Sequence, residues 1–165
     1  MSSTVFQAGA ERIPGGVHIL LIATGSVASI KVPLIVADLL KDGYKIGDPI
    51  LHIELRRWAD VVLIAPCSAN TLAKMAGGLC DNLATSVLRA LAPTTPTYVF
   101  PAMNTLMYEH PLTTEHLRIV RDVLHYEVVG PIGKNLACGD IGLGAMTEWK
   151  DIVNIVVRRF MLIEK

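Results

Sequence analysis

The chain has 165 residues, a length typical of one domain with one sizeable core. Fifteen basic and fifteen acidic residues give a formal net charge of zero, so no overall field attracts nucleic acid or an anionic membrane. Hydrophobic residues make up 52% of the chain and charged residues only 18%. Because a small monomer has little surface to spare for apolar groups, we expect a homo-oligomer that buries part of this excess between subunits.

Three cysteines, Cys67, Cys80 and Cys138, show no C-x-x-C spacing and predict neither a disulfide framework nor a metal site. We therefore expect a reducing, cytoplasmic setting. No apolar run reaches the length of a membrane span, and residues 1–16 lack the apolar stretch of a signal peptide. We expect residues 1–16 to be a mostly disordered lead-in and residues 17–165 to form a single domain.

The first predicted strand, residues 17–23 (VHILLIA), runs directly into a turn and a helix that reaches about residue 41. In this turn Gly25 allows the backbone to approach a ligand closely, and Ser26 offers a hydroxyl and an N–H group. The turn lacks the G-x-G-x-x-G pattern, which disfavours NAD as a ligand.

The second predicted strand, residues 61–65, is a charge-free and β-branched run that follows a charged segment. Ser68, Asn70 and Thr71 come directly after it, and a helical pattern follows over residues 72–76. We consider these three residues candidates to hold a phosphate or a polar ring edge at a helix N-terminus. The alternative is that they only cap the helix.

The charged segment before this strand contains His52, Glu54, Arg56 and Arg57. It brings an imidazole, a carboxylate and two guanidinium groups together in an otherwise apolar chain. A lone histidine is more often structural than catalytic, however, and a charge run is more often a solvated face. Both interpretations are open at this point.

A third strand is predicted over residues 97–100, and small or amide-bearing residues again follow it, among them Asn104. If each strand returns by a right-handed helical crossover, the ends at residues 23, 65 and 100 lie along one edge of a parallel sheet. We therefore predict a three-layer α/β fold, an open flavodoxin- or Rossmann-like parallel sheet with helices on both faces. Its ligand site is expected where these strands end.

The remaining pattern predicts helices over residues 82–91, 113–124 and 149–163, and a short strand over residues 127–129. Cys80, beside the first of these helices, is expected to face the core. Residues 133–144 carry four glycines around Cys138, which suits a lid or clamp over substrate. The alternative is a free thiol in a flexible loop.

The segments HIELRRWAD with APCSANT, PAMNTLMYEHP and LACGDIGLGAM, in this order, resemble the homo-oligomeric, flavin-containing cysteine decarboxylases. The resemblance implies an FMN cofactor and a homotrimer whose active sites lie between subunits. Asn104 would hold the substrate carboxylate, with Arg57, Met107 and Ala137 nearby. His52 would be the essential histidine of a neighbouring subunit's site, and Cys138 the proton donor. The residues implied to contact FMN are Gly25, Ser26, Val27, Ser68, Ala69, Asn70, Thr71 and Ala102.

The reaction implied by this resemblance belongs to coenzyme A biosynthesis. FMN oxidises the cysteinyl thiol of 4'-phosphopantothenoylcysteine to a thioaldehyde, carbon dioxide leaves, and the enethiolate is reduced to 4'-phosphopantetheine. Relatives that decarboxylate peptidyl cysteine stop at the enethiol and lack the equivalent of Cys138. Other relatives are regulatory subunits that bind and inhibit a protein phosphatase, and both roles are alternatives.

Two features depart from the pattern of this family. Tyr108 stands where the family usually has tryptophan, which keeps an aromatic surface. Between Gly43 and Tyr44 the family carries a further strand and residues that contact FMN, and these are missing from the sequence.

Overall fold

The computed structural model describes residues 7–25, 32–33, 51–135 and 141–161. In these ranges a parallel sheet has the order β1 (Ile19–Ile22), β2 (Val61–Cys67), β3 (Thr97–Pro101) and β4 (Glu127–Val128). Strands β5 (Ile132–Asn135) and β6 (Ile141–Ala145) pair with each other as an antiparallel hairpin. The helices are α1 (Ala8–Glu11), α2 (Leu51–Trp58), α3 (Ala69–Gly77), α4 (Leu83–Ala90), α5 (Thr105–Glu109), α6 (Pro111–Asp122) and α7 (Trp149–Phe160).

The parallel sheet is covered on both faces because its central strands send apolar side chains to both sides. On one face Val62 and Val99 pack with buried residues of α2, α3, α4 and α6. On the other face Leu63 and Phe100 pack with Ile152 of α7. The predicted three-layer open parallel sheet is confirmed, and so is the alignment of the first three strand ends along one edge.

Helices α3 and α4 begin and end where the residue types predict. Ser68 caps α3 by accepting a hydrogen bond from the Thr71 N–H, and Gly78 ends the helix in a left-handed conformation. Asn82 caps α4 in a reciprocal arrangement with Thr85, a capping box. These local signals set where both helices begin and end, and the buried residues of the two helices pack against the sheet.

The described residues contain three helices that the sequence pattern did not predict, namely α1, α2 and α5. Helix α2 occupies the charged segment before β2, where Leu55 and Trp58 are buried one turn apart and Arg57 is exposed. Helix α5 follows Asn104, whose side-chain oxygen accepts the Leu106 N–H at 2.8 Å. Each helix is short, so its period was too brief to distinguish from a charged or polar loop.

Residues 7–16 differ from the expected disordered lead-in. They include α1 and lie against α2, and Arg12 pairs with Asp60 at the start of the sheet. The first expected helix, residues 26–41, falls outside the described residues apart from positions 32–33. The segment expected to be missing between Gly43 and Tyr44 also falls outside them.

Two further expectations change with the tertiary structure. Cys80 was expected in the core and is exposed, because it lies in the turn between α3 and α4. Within the glycine-rich region 133–144, residues 133–135 belong to β5 and residues 141–144 belong to β6, and residues 136–140 fall outside the described residues. No helix within the described ranges is long and apolar enough to cross a membrane.

Candidate functional site

The ends of β1 and β2 are joined by a network of hydroxyl groups. Thr24 Oγ1 donates to the carbonyl of Pro66 at 2.9 Å and accepts the Ser68 N–H at 3.0 Å. Ser68 Oγ in turn accepts the Thr71 N–H at 3.2 Å. This network fixes the loop that follows β2 and therefore sets where the first N–H groups of α3 point.

The end of β3 lies beside the same edge. The Ala102 N–H donates to the Cys67 carbonyl at 2.9 Å, which ties the residue after β3 to the last residue of β2. Asn104 follows two residues later and caps α5. The structure thus brings Asn104 to the carboxyl edge of the sheet, the edge that carries Ser68.

The β5–β6 hairpin is seated on the backbone just before Asn104. The Met103 N–H donates to the Gly144 carbonyl at 3.0 Å. At Gly144 an added Cβ would lie 2.2 Å from the Met103 carbonyl oxygen, and at Gly142 it would lie 2.8 Å from the Thr105 side chain. Both glycines are needed for this close approach, so the hairpin base has one defined position.

Space and exposure at the strand ends suit a bound ligand. A Cβ added at Gly25 would meet no heavy atom of the described residues within 4 Å, so these residues leave space beside it. Asn70 in the first turn of α3 is exposed, while Thr71 is buried. Open space, an exposed amide and a helix N-terminus together can hold an anionic group and the polar edge of a flat ring.

His52 and Arg57 lie on α2, apart from the strand-end network. Arg57 pairs with Glu54 at 2.9 Å, and its carbonyl accepts from Arg12 near the start of β2. Arg57 is therefore at the amino end of the sheet and does not meet Asn104 within one chain. His52 is half-buried in the first turn of α2, nearer the carboxyl edge, since α2 runs against the direction of β2.

Cys67 lies at the end of β2 but belongs to the core. Its side chain has no exposed surface, and burial raises the pKa of the Cys67 thiol to about 12. A thiol that stays protonated at neutral pH is a poor nucleophile. This cysteine therefore contributes packing at the site and no chemistry.

The predicted site residues fall into three groups. Those at the carboxyl edge of the sheet are Gly25, Ser68, Ala69, Asn70, Thr71, Ala102 and Asn104, with Met107 exposed on α5 just beyond. Those on α2 are His52 and Arg57. Ser26, Val27, Ala137 and Cys138 lie outside the described residues, so their assigned roles stay predictions.

The sequence interpretation missed two residues of this site. Thr24 joins β1 to Ser68, and Gly144 seats the hairpin. A hydroxyl residue directly after a buried strand was a usable signal for Thr24. For Gly144, the usable signal was the pair of glycines at positions 142 and 144, because glycines two positions apart in a strand indicate a close backbone approach.

Together these features define a parallel α/β protein whose ligand site is built from loops at the carboxyl ends of its strands. The family model described as Flavoprotein matches residues 9–48 and 44–161. The chain therefore belongs to this flavoprotein family. The two matched ranges meet close to Gly43 and Tyr44, where the missing segment is predicted.

Named relatives and solved structures agree with this assignment. A probable phosphopantothenoylcysteine decarboxylase of Arabidopsis thaliana is 59% identical over 116 residues, which are 70% of this chain and 57% of that protein. HAL3 from Cryptococcus neoformans has a TM-score of 0.81 at 43% identity, covering 90% of this chain and 98% of the other. The FMN binding protein AtHal3 has a TM-score of 0.73 at 42% identity, covering 89% and 98%. The chain spans between 30% and 57% of the length of the first curated relatives that it matches.

Proposed function

We propose that this protein is an FMN-dependent phosphopantothenoylcysteine decarboxylase, a carboxy-lyase of coenzyme A biosynthesis. The observation that carries the proposal is the seat of the β5–β6 hairpin on Met103. This seat holds β6 beside the backbone that precedes Asn104, and the sequence between β5 and β6 contains Cys138. The decarboxylase relative at 59% identity supports the same activity.

FMN fits the residues at the strand ends. The described residues leave space beside Gly25, Asn70 is exposed, and the N-terminus of α3 offers N–H groups to an anion. Ser68 to Thr71 and Ala102 would hold the cofactor, together with Ser26 and Val27. When bound, FMN supplies the two-electron oxidation of the substrate thiol and the reducing equivalents that return later.

Asn104 and Cys138 would divide the remaining work on the substrate. The Asn104 amide would hold the carboxylate without a full opposite charge, which leaves the carboxylate less stabilised and favours its loss. Saturating the enethiolate then requires a proton, and the Cys138 thiol would donate it. Met107 and Ala137 would also contact the substrate.

His52 would act in a neighbouring subunit of a homotrimer, and Arg57 would assist substrate binding. Support for this arrangement comes from their place on α2, away from the strand-end network of their own chain. Exposed apolar side chains beside the site, Leu106 at 74% and Leu112 at 59% exposure, offer surface for a subunit contact. Light scattering tests the homotrimer directly.

The absorption spectrum of the purified protein is the first test, because bound oxidised flavin makes the protein yellow. Incubation with 4'-phosphopantothenoylcysteine should then release carbon dioxide and give 4'-phosphopantetheine. Cys138→Ser should still release carbon dioxide and accumulate the enethiol, and His52→Asn should abolish release with the fold intact. Cys80→Ser removes an exposed thiol elsewhere and serves as the control.

Three outcomes would contradict the proposal. A colourless protein that does not take up added FMN would exclude the cofactor. Release of carbon dioxide from a peptide with a C-terminal cysteine, with none from 4'-phosphopantothenoylcysteine, would assign a peptidyl-cysteine decarboxylase. A flavin-containing protein that inhibits a protein phosphatase and releases no carbon dioxide would assign the regulatory role.

A further inference from the structure

Residues 7–16, called the strap, form hydrogen bonds to α2 through three residues of the strap. The Ala8 N–H donates to Glu54 Oε2 at 2.8 Å. The Trp58 indole N–H donates to the Glu11 carbonyl at 3.3 Å, and the Arg12 guanidinium donates to the Trp58 carbonyl at 2.8 Å. The strap therefore contacts the middle and the last turn of α2.

The far end of the strap is fixed through His18, a histidine that is only 1% exposed. The Ile13 N–H donates to His18 Nε2 at 2.9 Å, so this nitrogen carries no proton. His18 Nδ1 therefore carries the proton and donates to Asp60 Oδ2 at 2.8 Å. Asp60 also accepts the His18 backbone N–H and pairs with Arg12, which joins the strap, β1 and the residue before β2 in one network.

Helix α2 depends on such contacts. It has eight residues, and a helix of this length is unstable by itself in water. One side of α2 packs through Leu55 and Trp58 into the core that α4 shares. The strap contacts Glu54 and Trp58 as well. Together with the core contacts, these bonds fix the rotation of α2 about its axis and its position along β2.

Electrostatics reinforce the contact at Glu54. The Ala8 N–H is the main reason that the pKa of the Glu54 carboxyl lies below its usual value, with the Arg57 guanidinium adding to the effect. The carboxylate is therefore ionised when the strap is in place, and one oxygen serves Ala8 while the other serves Arg57.

We propose that the strap positions α2, and with it His52, through its bonds to Glu54, Trp58 and Asp60. Glu54, Asp60, Arg12 and His18 are then positioning residues that act on the site through α2. The part of this inference that concerns catalysis rests on the role proposed for His52. The part that concerns the placement of α2 does not.

The test compares Glu54→Ala with Glu54→Gln in the full-length, flavin-loaded protein. Glutamine keeps a side-chain oxygen for the Ala8 N–H, whereas alanine removes it. The matched control is Glu115→Ala, which deletes an exposed carboxylate paired three residues along a helix, with Arg118. Amide hydrogen exchange over residues 7–16 and 51–58 measures how well the strap and α2 are protected. The ring proton resonance of His52, assigned with His52→Asn, reports the surroundings of His52.

Glu54→Ala should accelerate exchange in both segments by about tenfold and shift the His52 resonance. In Glu54→Gln, the exchange rates and the resonance should lie close to those of the wild type. In Glu115→Ala, the exchange rates and the resonance should be unchanged. Misplacing His52 should also lower kcat by about tenfold or more, with KM changed little. Unchanged exchange and an unchanged resonance would overturn the inference, whatever the enzyme's activity. Altered exchange with a wild-type kcat would overturn the catalytic part.

If the wild-type protein releases no carbon dioxide, the proposed function fails. Exchange and the His52 resonance then decide the placement of α2 by themselves.

Discussion

Ser68→Ala should weaken both the fold and the flavin site, whereas Asn82→Ala should weaken only the fold. Both residues are N-caps with one side-chain acceptor. Ser68 accepts the Thr71 N–H at 3.2 Å and Asn82 accepts the Thr85 N–H at 3.0 Å. The difference is position, since Ser68 lies at the carboxyl edge of the sheet and Asn82 lies between α3 and α4.

The loss of a cap is worth about 1 kcal/mol, within a range of roughly 0.5–2 kcal/mol. For a chain of this size, 1 kcal/mol lowers Tm by about 2–4 °C. Ser68→Ala removes two further contacts of Ser68 Oγ, with Thr24 Oγ1 at 3.3 Å and with Thr71 Oγ1 at 3.2 Å, but Thr24 keeps the Pro66 carbonyl as an acceptor. Asn82→Ala also removes two further contacts, with the Asp81 carboxylate and with the Thr85 hydroxyl, each at 3.2 Å. We therefore expect similar losses of stability in the two variants.

The two variants should differ in their affinity for FMN. Loss of a hydrogen bond that holds the loop after β2 should cost about 0.5–1.5 kcal/mol of binding free energy, which is roughly a two- to tenfold rise in Kd. Asn82→Ala should leave Kd unchanged. Unfolding in urea followed by circular dichroism measures stability, and quenching of FMN fluorescence by flavin-free protein measures Kd. Equal Kd values for Ser68→Ala and Asn82→Ala would refute the assignment of Ser68 to the cofactor site.

Three other predictions follow from the geometry. In the native protein a thiol reagent should modify exposed Cys80 and spare Cys67, whose buried thiol has a pKa of about 12; mass spectrometry of the peptides checks this, and fast modification of Cys67 would contradict its burial. Gly144→Ala should unseat the hairpin, because the new Cβ would lie 2.2 Å from the Met103 carbonyl oxygen, and the Met103 amide should then exchange faster; unchanged protection would show that the seat is not needed. Partial burial raises the pKa of Asp60, but hydrogen bonds from Arg12 and His18 outweigh this effect and lower the pKa below that of an ordinary aspartate. The ionised Asp60 should therefore stabilise the fold fully above the ordinary pKa of aspartate, and this stabilisation should be lost as the pH falls below it. Acid unfolding that is the same for wild type and Asp60→Asn would argue against this network.

Much of the fold was predictable because its signals are local. Apolar runs that end in small polar residues marked β1, β2 and β3, and the helices between them required parallel crossovers. Caps at Ser68, Gly78 and Asn82 marked helix ends from the residue types alone. Such signals depend on neighbours within a few positions, so no distant contact is needed to interpret them.

Positions that depend on distant partners were not predictable in the same way. The short period of α2 was hidden in a charge run, and its helix becomes evident only when Leu55 and Trp58 meet the core. Cys80 was expected to face the core, yet it lies in an exposed turn, whereas Cys67 ends a buried strand.

The sequence by itself determined that this is a parallel α/β protein with polar loops at its strand ends, because apolar runs, caps and chain order can be recognised from neighbouring residues. Only the tertiary structure decided how those loops are held and what surrounds them. The bond between His18 and Asp60 spans 42 positions, and the bond between Gly144 and Met103 joins the hairpin to the loop after β3. Such contacts exist only after the sheet has brought the segments together, and they fix α2, the strap and the hairpin base.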